Sequence, residues 1–204
     1  MENKMKIGVN VDGVLIDTSS FILKYGQKFL GNNNKFINPL ASKFTEMFCC
    51  SKKESDEFWK KYFHKYCLRA NPEKDAADVL KKLKDNGNEI YIIVSRSNIT
   101  DKGFIGDINR SMLKFWLNKN EIPFDGIVYC NKYNKDDKYN ACKNLGIDIM
   151  IEDKVTDALN LREVSKVVIL SRPYNFGLNN SEIYRASNFK NIYGYIENDK
   201  RKIR

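Results

Sequence analysis

Four short stretches of this chain carry side chains able to do chemistry together. They are Asn10-Val11-Asp12-Gly13, Ser95-Arg96-Ser97, Lys138 with Lys132 and Lys135 nearby, and Glu152-Asp153. Carboxylates hold hard cations and move protons, while a hydroxyl, a guanidinium and an ammonium hold anions. Each stretch also has an ordinary structural reading: Asp12-Gly13 as a turn, Ser95 as a helix cap, Glu152-Asp153 as a solvated helix start. Position raises the set above those readings. Three of the stretches fall just past an apolar run of strand length, and Lys138 stands at the start of a helix.

The apolar runs are residues 6–11, 89–94, 126–129, 147–151 and 166–170. Helical stripes separate them: Ala76, Val79, Leu80 and Leu83; Ile108, Met112, Phe115 and Trp116; Tyr139, Cys142 and Leu145; Val155, Leu159 and Leu161. This alternation predicts an α/β, Rossmann-like parallel sheet with flanking crossover helices. Ligands of such sheets bind at the carboxyl ends of the strands, which is where the four stretches gather.

One interval is too long for a single crossover, since about 75 residues separate the first two strands where a few tens suffice. Residues 18–30 read as a helix with Phe21, Tyr25 and Phe29 on one face, and residues 54–66 as another with Phe58, Tyr62 and Tyr66 aligned. Gly31 with Asn32, Asn33 and Asn34 stops the first helix, and Asn71-Pro72 returns the chain to the sheet. The expected division is a core of residues 1–16 and 73–204 with a small helical cap at 17–72. Phe21, Tyr25, Phe44, Phe48 and Trp59 of that cap either fill its core or line a pocket.

Lysine and arginine number 35 against 26 acidic residues, a formal charge of +9. The excess favours an anionic ligand. The basic residues are scattered, without the dense block that marks a nucleic-acid surface, so a small phosphorylated molecule is expected rather than a polymer. No apolar run approaches the roughly 20 residues of a membrane span. No secretory leader is recognisable at the N-terminus, so a cytoplasmic location is expected. Five cysteines without a Cys-x-x-Cys pair suggest reduced packing residues, not a disulfide or zinc framework. The lone His64 has no second histidine with which to share a metal. Oligomeric state is not legible.

The order Val-Asp-Gly-Val-Leu, Val-Ser-Arg, Lys138, Ile-Glu-Asp-Lys, spanning residues 11–154, resembles the motif series of haloacid dehalogenase superfamily phosphatases. The cap position and Arg172-Pro173-Tyr174-Asn175 are most similar to the 5'(3')-deoxyribonucleotidase-type branch. The resemblance implies a phosphomonoesterase working through an aspartyl-phosphate. Position 10 would be the nucleophile and Asp12 the general acid and base, while Lys138 would neutralise charge. Ser95, Arg96 and Gly13 would hold the substrate. Mg2+ would be bound by the position-10 side chain, the Asp12 carbonyl and Asp153, with Glu152 acting through water. A phosphotransferase on the same scaffold stays open, whereas a dehalogenase has no need of the Glu152-Asp153 metal site.

The chain departs from that pattern where the mechanism can least spare it, because Asn10 is a neutral amide in place of the nucleophilic carboxylate. Turnover should collapse, and magnesium should bind more weakly. A substitution that traps substrate, a natural loss of chemistry and deamidation to aspartate all account for an asparagine there. The alternative function is a non-catalytic module that binds a phosphorylated ligand in the same pocket.

Overall fold

The computed structural model describes residues 4–31 and 37–202. Its centre is a six-stranded sheet of β1 (Lys6–Asn10), β2 (Glu89–Arg96), β3 (Gly126–Asn131), β4 (Ile149–Glu152), β5 (Lys166–Leu170) and β6 (Ile183–Ala186). The spatial order is β3-β2-β1-β4-β5-β6, and every neighbouring pair is parallel. Parallel strands with both faces covered need apolar side chains on both sides. Accordingly all four residues of β4 and the last four of β1 and β5 are buried.

The helices α4 (Ala76–Asp85), α5 (Phe104–Lys119) and α8 (Phe189–Lys202) cover one face, packing on Ile7, Val9, Ile90, Ile92 and Val168. Helices α6 (Lys135–Leu145) and α7 (Val155–Leu161) cover the other, over Ile93, Met150, Val167 and Ile169. The chain moves outward from β1 through β2 to β3, then crosses back so that β4 lies on the far side of β1. That reversal opens a crevice between the carboxyl ends of β1 and β4, the usual ligand position of doubly wound sheets.

Helices α1 (Thr18–Leu30), α2 (Phe44–Phe48) and α3 (Lys52–Arg69) come between β1 and β2. They are held together by aromatic rings: Phe44 stacks on Phe58 with centroids 4.2 Å apart, and Phe29 meets Phe58 edge-on at 5.8 Å. Gly26 sits where a Cβ would come 2.2 Å from the Phe48 ring, so the glycine permits α1 to approach α2. A capping box of Ser51 and Glu54 starts α3, and the carbonyl of Ala70 just beyond its end accepts from Trp116 Nε1 at 2.7 Å. Phe21, Phe44 and Phe48 are buried, so these aromatics fill the helical cluster.

Strand β1 stops at Asn10, one residue before the expected end, because Val11 turns to accept backbone N–H groups from Leu15 and Ile16. The pattern missed β6, only four residues long, and α8, whose many polar residues dilute its buried Phe189, Ile192 and Ile196. Asp199 lies within α8, and its carboxylate holds Lys166 at 2.8 Å. The loop expected at Asn32, Asn33 and Asn34 falls outside the described residues. Cys67, Cys130 and Cys142 are buried as packing residues, whereas Cys49 is exposed. His64 is exposed on α3. No helix among the described residues is long and apolar enough to cross a membrane.

Candidate active site

Strand ends bring the polar stretches together. Asn10 closes β1 and Glu152 closes β4, and the register Val9 to Ile151 sets them side by side. Arg96 closes β2, which pairs with β1 on its other side. Asn10 is 3% exposed, so its amide must be satisfied within the protein. Its Nδ2 donates to the Asp12 carbonyl at 2.9 Å, Asp153 Oδ1 at 2.9 Å and Glu152 Oε2 at 3.3 Å.

Asp153 is braced from the opposite side by the 3-10 turn Pro173–Asn175 that follows β5. Tyr174 donates its hydroxyl to Asp153 Oδ2 at 2.5 Å, and Asn175 Nδ2 donates to the Asp153 carbonyl at 2.7 Å. Burial raises the Asp153 carboxyl above the usual range against the opposing pull of Tyr174 and Lys154. Burial also pushes Glu152 up to about 7, opposed by Lys138. The Lys138 ammonium is itself buried, bonded to Glu152 Oε1 and, at 2.8 Å, to Asp157 Oδ2.

A second cluster forms on the Asp12 carboxylate. Arg96 Nε donates to Oδ2 at 2.9 Å and Nη2 to Oδ1 at 2.6 Å, a two-pronged contact. Tyr66 of α3 donates its hydroxyl to Oδ1 at 2.6 Å and lies 2.7 Å from the Thr18 hydroxyl. With the tyrosine proton directed at Asp12, Thr18 is the donor of that pair. Burial alone would raise the Asp12 carboxyl, but Arg96 and then Tyr66 hold it below its ordinary 3.8. A carboxylate held low stabilises the fold above its ordinary value and loses that contribution as pH falls through the native one. The stability gap between the wild type and Arg96→Met should therefore be widest at neutral pH and close on acidification, measured by urea unfolding across that range.

Gly13 has φ +87°, and a Cβ there would lie 2.0 Å from Asp153 Oδ2. Gly13→Ala therefore meets both a left-handed backbone, costing about 1–3 kcal/mol, and a carboxylate that must move. Chemical denaturation should show at least that loss. Arg172 Nε ties the Gly13 carbonyl at 2.8 Å, and its Nη2 pairs with Glu73.

Asn10, Asp12, Gly13, Arg96, Lys138, Glu152 and Asp153 thus form one connected set. Ser95 shares the same sheet edge, but its register partner is Cys130 and its hydroxyl stands beside that thiol. Arg96 faces Asp12 and Lys138 faces Glu152 and Asp157, so both cations are bound to protein carboxylates in this arrangement. Sequence reasoning gave no role to Asp157 or Thr18. It read Tyr66 as one of a row of aromatics, and Tyr174 and Asn175 only as part of a branch resemblance. Among the described residues, no group of three or more His, Cys, Asp or Glu could hold a metal ion.

No family model matches the chain. It is 26% identical over 183 residues to a protein of Halalkalibacterium halodurans described as "Putative nucleotidase BH1399", covering 86% of this chain and 84% of that one. Among solved structures it is similar to a HAD-superfamily hydrolase, subfamily IA, of Geobacter sulfurreducens. The TM-score there is 0.58 at 15% identity, with 95% of this chain and 96% of that chain covered. It is also similar to the "putative HAD-hydrolase YfnB" of Bacillus subtilis, a structure bound to magnesium. That match has TM-score 0.59 and 14% identity, over 95% of this chain and 99% of that chain. The chain has the haloacid dehalogenase fold. In this HAD fold the first strand ends at Asn10.

Proposed function

We propose that the site is a phosphomonoesterase site for a small phosphorylated metabolite, nucleotidase-like in class, whose covalent step is disabled by Asn10. The observation that carries this reading is the convergence of Asn10, Asp12, Arg96, Lys138, Glu152 and Asp153 at the crevice between β1 and β4. The HAD fold of hydrolases and the nucleotidase description of the bacterial relative support it. In this reading Asp12 moves the protons, and Ser95 with Gly13 holds the phosphoryl group once the Ser95 hydroxyl turns from the Cys130 thiol. Residues 17–72 act as a cap over the core of residues 1–16 and 73–204, a role supported by the reach of Tyr66 to Asp12.

Magnesium is the cofactor this reading implies. It takes oxygen ligands, and the Asp153 carboxylate, the Asp12 carbonyl and, through water, Glu152 supply them. When bound it would offset phosphoryl charge. In this chain the set is one carboxylate short, because an amide nitrogen faces those oxygens, and no step is derived through the ion.

A second reading, a non-catalytic module that binds a phosphorylated ligand, is favoured by a specific observation: the Asn10 amide nitrogen is engaged by three neighbouring oxygens. Comparing the chain with Asn10→Asp on a panel of phosphate monoesters with magnesium separates the two. If the aspartate form hydrolyses none of them, the phosphomonoesterase reading fails. Tight binding of one ester by the Asn10 chain without turnover selects the sensor.

A further inference from the structure

We infer that Asn10 does the cation's work, its amide nitrogen standing in for a divalent ion so that this chain closes its site without one. The inference rests on the reading of the Asp12 carbonyl, Glu152 and Asp153 as the cation-facing oxygens, and it concerns how they are satisfied here.

Three acceptors converge on Asn10 Nδ2: the Asp12 carbonyl, Asp153 Oδ1 and Glu152 Oε2. The reversed amide would aim its oxygen at the same three acceptors, so the orientation is dictated by the neighbours. Two cations serve three of the four carboxylates around it, without an ion. Asp12 is paired with Arg96, and Glu152 shares Lys138 with Asp157. Asp153 is satisfied by neutral donors, Asn10 on one oxygen and the Tyr174 hydroxyl on the other. A carboxylate at position 10 would undo all of this. It would replace the donor by an acceptor and add a third buried carboxylate beside Glu152 and Asp153, an arrangement tenable only with a cation or a shared proton among them. The amide therefore supplies the hydrogen bonds these oxygens need without adding a negative charge.

The test is thermal unfolding of the full chain in chelator and in millimolar magnesium chloride, with ionic strength matched by potassium chloride. The Asn10 chain should melt at the same temperature in both. Asn10→Asp should melt about 6–12 °C lower in chelator, the expected size for a buried charge left unpaired in a domain of this length, and recover most of that in magnesium. The charge-swapped pair Asn10→Asp with Asp153→Asn restores one carboxylate and one amide, and the new amide oxygen can still accept from Tyr174. With no more carboxylates than the parent, it should melt above Asn10→Asp in chelator and ignore magnesium, which keeps the test decisive even if the single variant folds only with the ion. A magnesium-dependent rise in the Asn10 chain would overturn the inference, and so would an Asn10→Asp variant as stable as the parent in chelator. Failure of Asn10→Asp to hydrolyse any ester would count against the phosphomonoesterase reading alone, since melting in chelator does not depend on turnover.

Discussion

Asn10→Asp, supplied with magnesium and the right phosphate monoester, is expected to turn over on the order of 10⁴–10⁶ times faster than the Asn10 chain, the factor by which nucleophile losses slow covalent catalysis. In the proposed reaction the carboxylate oxygen would form the bond to phosphorus in line with the ester oxygen, whose bond to phosphorus would break as a protonated Asp12 delivered its proton to it. Water then attacks the acyl phosphate, giving its proton back to Asp12, and phosphate leaves. An amide cannot open this sequence, because its nitrogen lone pair is delocalised and its oxygen carries no full charge. Arg96 adds a condition. It holds Asp12 ionised, the form that takes a proton from water and not the form that gives one to a leaving group. Initial rates of phosphate release by both chains across a panel of esters check the expectation, and equal rates for the two would refute it.

Lys138→Met is expected to cost about 3–5 kcal/mol of folding stability, the scale observed when one partner of a buried ion pair is removed. Glu152 has no exposed surface, so once its ammonium partner is gone it cannot recover hydration. The same change strands Asp157 Oδ2, although that side chain keeps 32% of its surface in water and suffers less. Adding Glu152→Gln to Lys138→Met should return part of the loss by discharging the stranded group while keeping an acceptor for the Asp153 N–H and the Asn10 amide. Urea unfolding of the parent, both singles and the double gives the coupling energy directly. Coupling within a few tenths of a kcal/mol of zero would show that the pair contributes nothing.

The sheet was legible because buried parallel strands write themselves as apolar runs. Residues 166–170 match β5 end for end, and residues 18–30 match α1. What stayed hidden had a physical cause. Strand β6 is Ile-Tyr-Arg-Ala, with only its first and last residues buried, a signal no stronger than a loop's. Helix α8 carries Asn, Asp, Lys and Arg between its core contacts, so a charged tail and a surface helix look alike along the chain.

In the site, Asn10, Asp12, Glu152 and Asp153 could be found because their type and their place at strand ends coincide. Tyr66 and Tyr174 could not, since their function is set by which hydroxyl reaches which carboxylate across 54 and 21 residues of sequence. Lys138 was found by motif order, but that order carries no information on whether its ammonium points to ligand or to Glu152. Arg96 illustrates the same limit: its guanidinium is engaged by Asp12, a pairing that only three-dimensional proximity reveals.

Tyr66 belongs to two structures at once. Its ring packs edge-on against Phe21 with centroids 5.0 Å apart, among the aromatics that hold α1 to α3, and its hydroxyl rests on the carboxylate at the crevice. A change in how those helices pack therefore moves the Tyr66 hydroxyl and retunes the acidity of Asp12 in the same stroke.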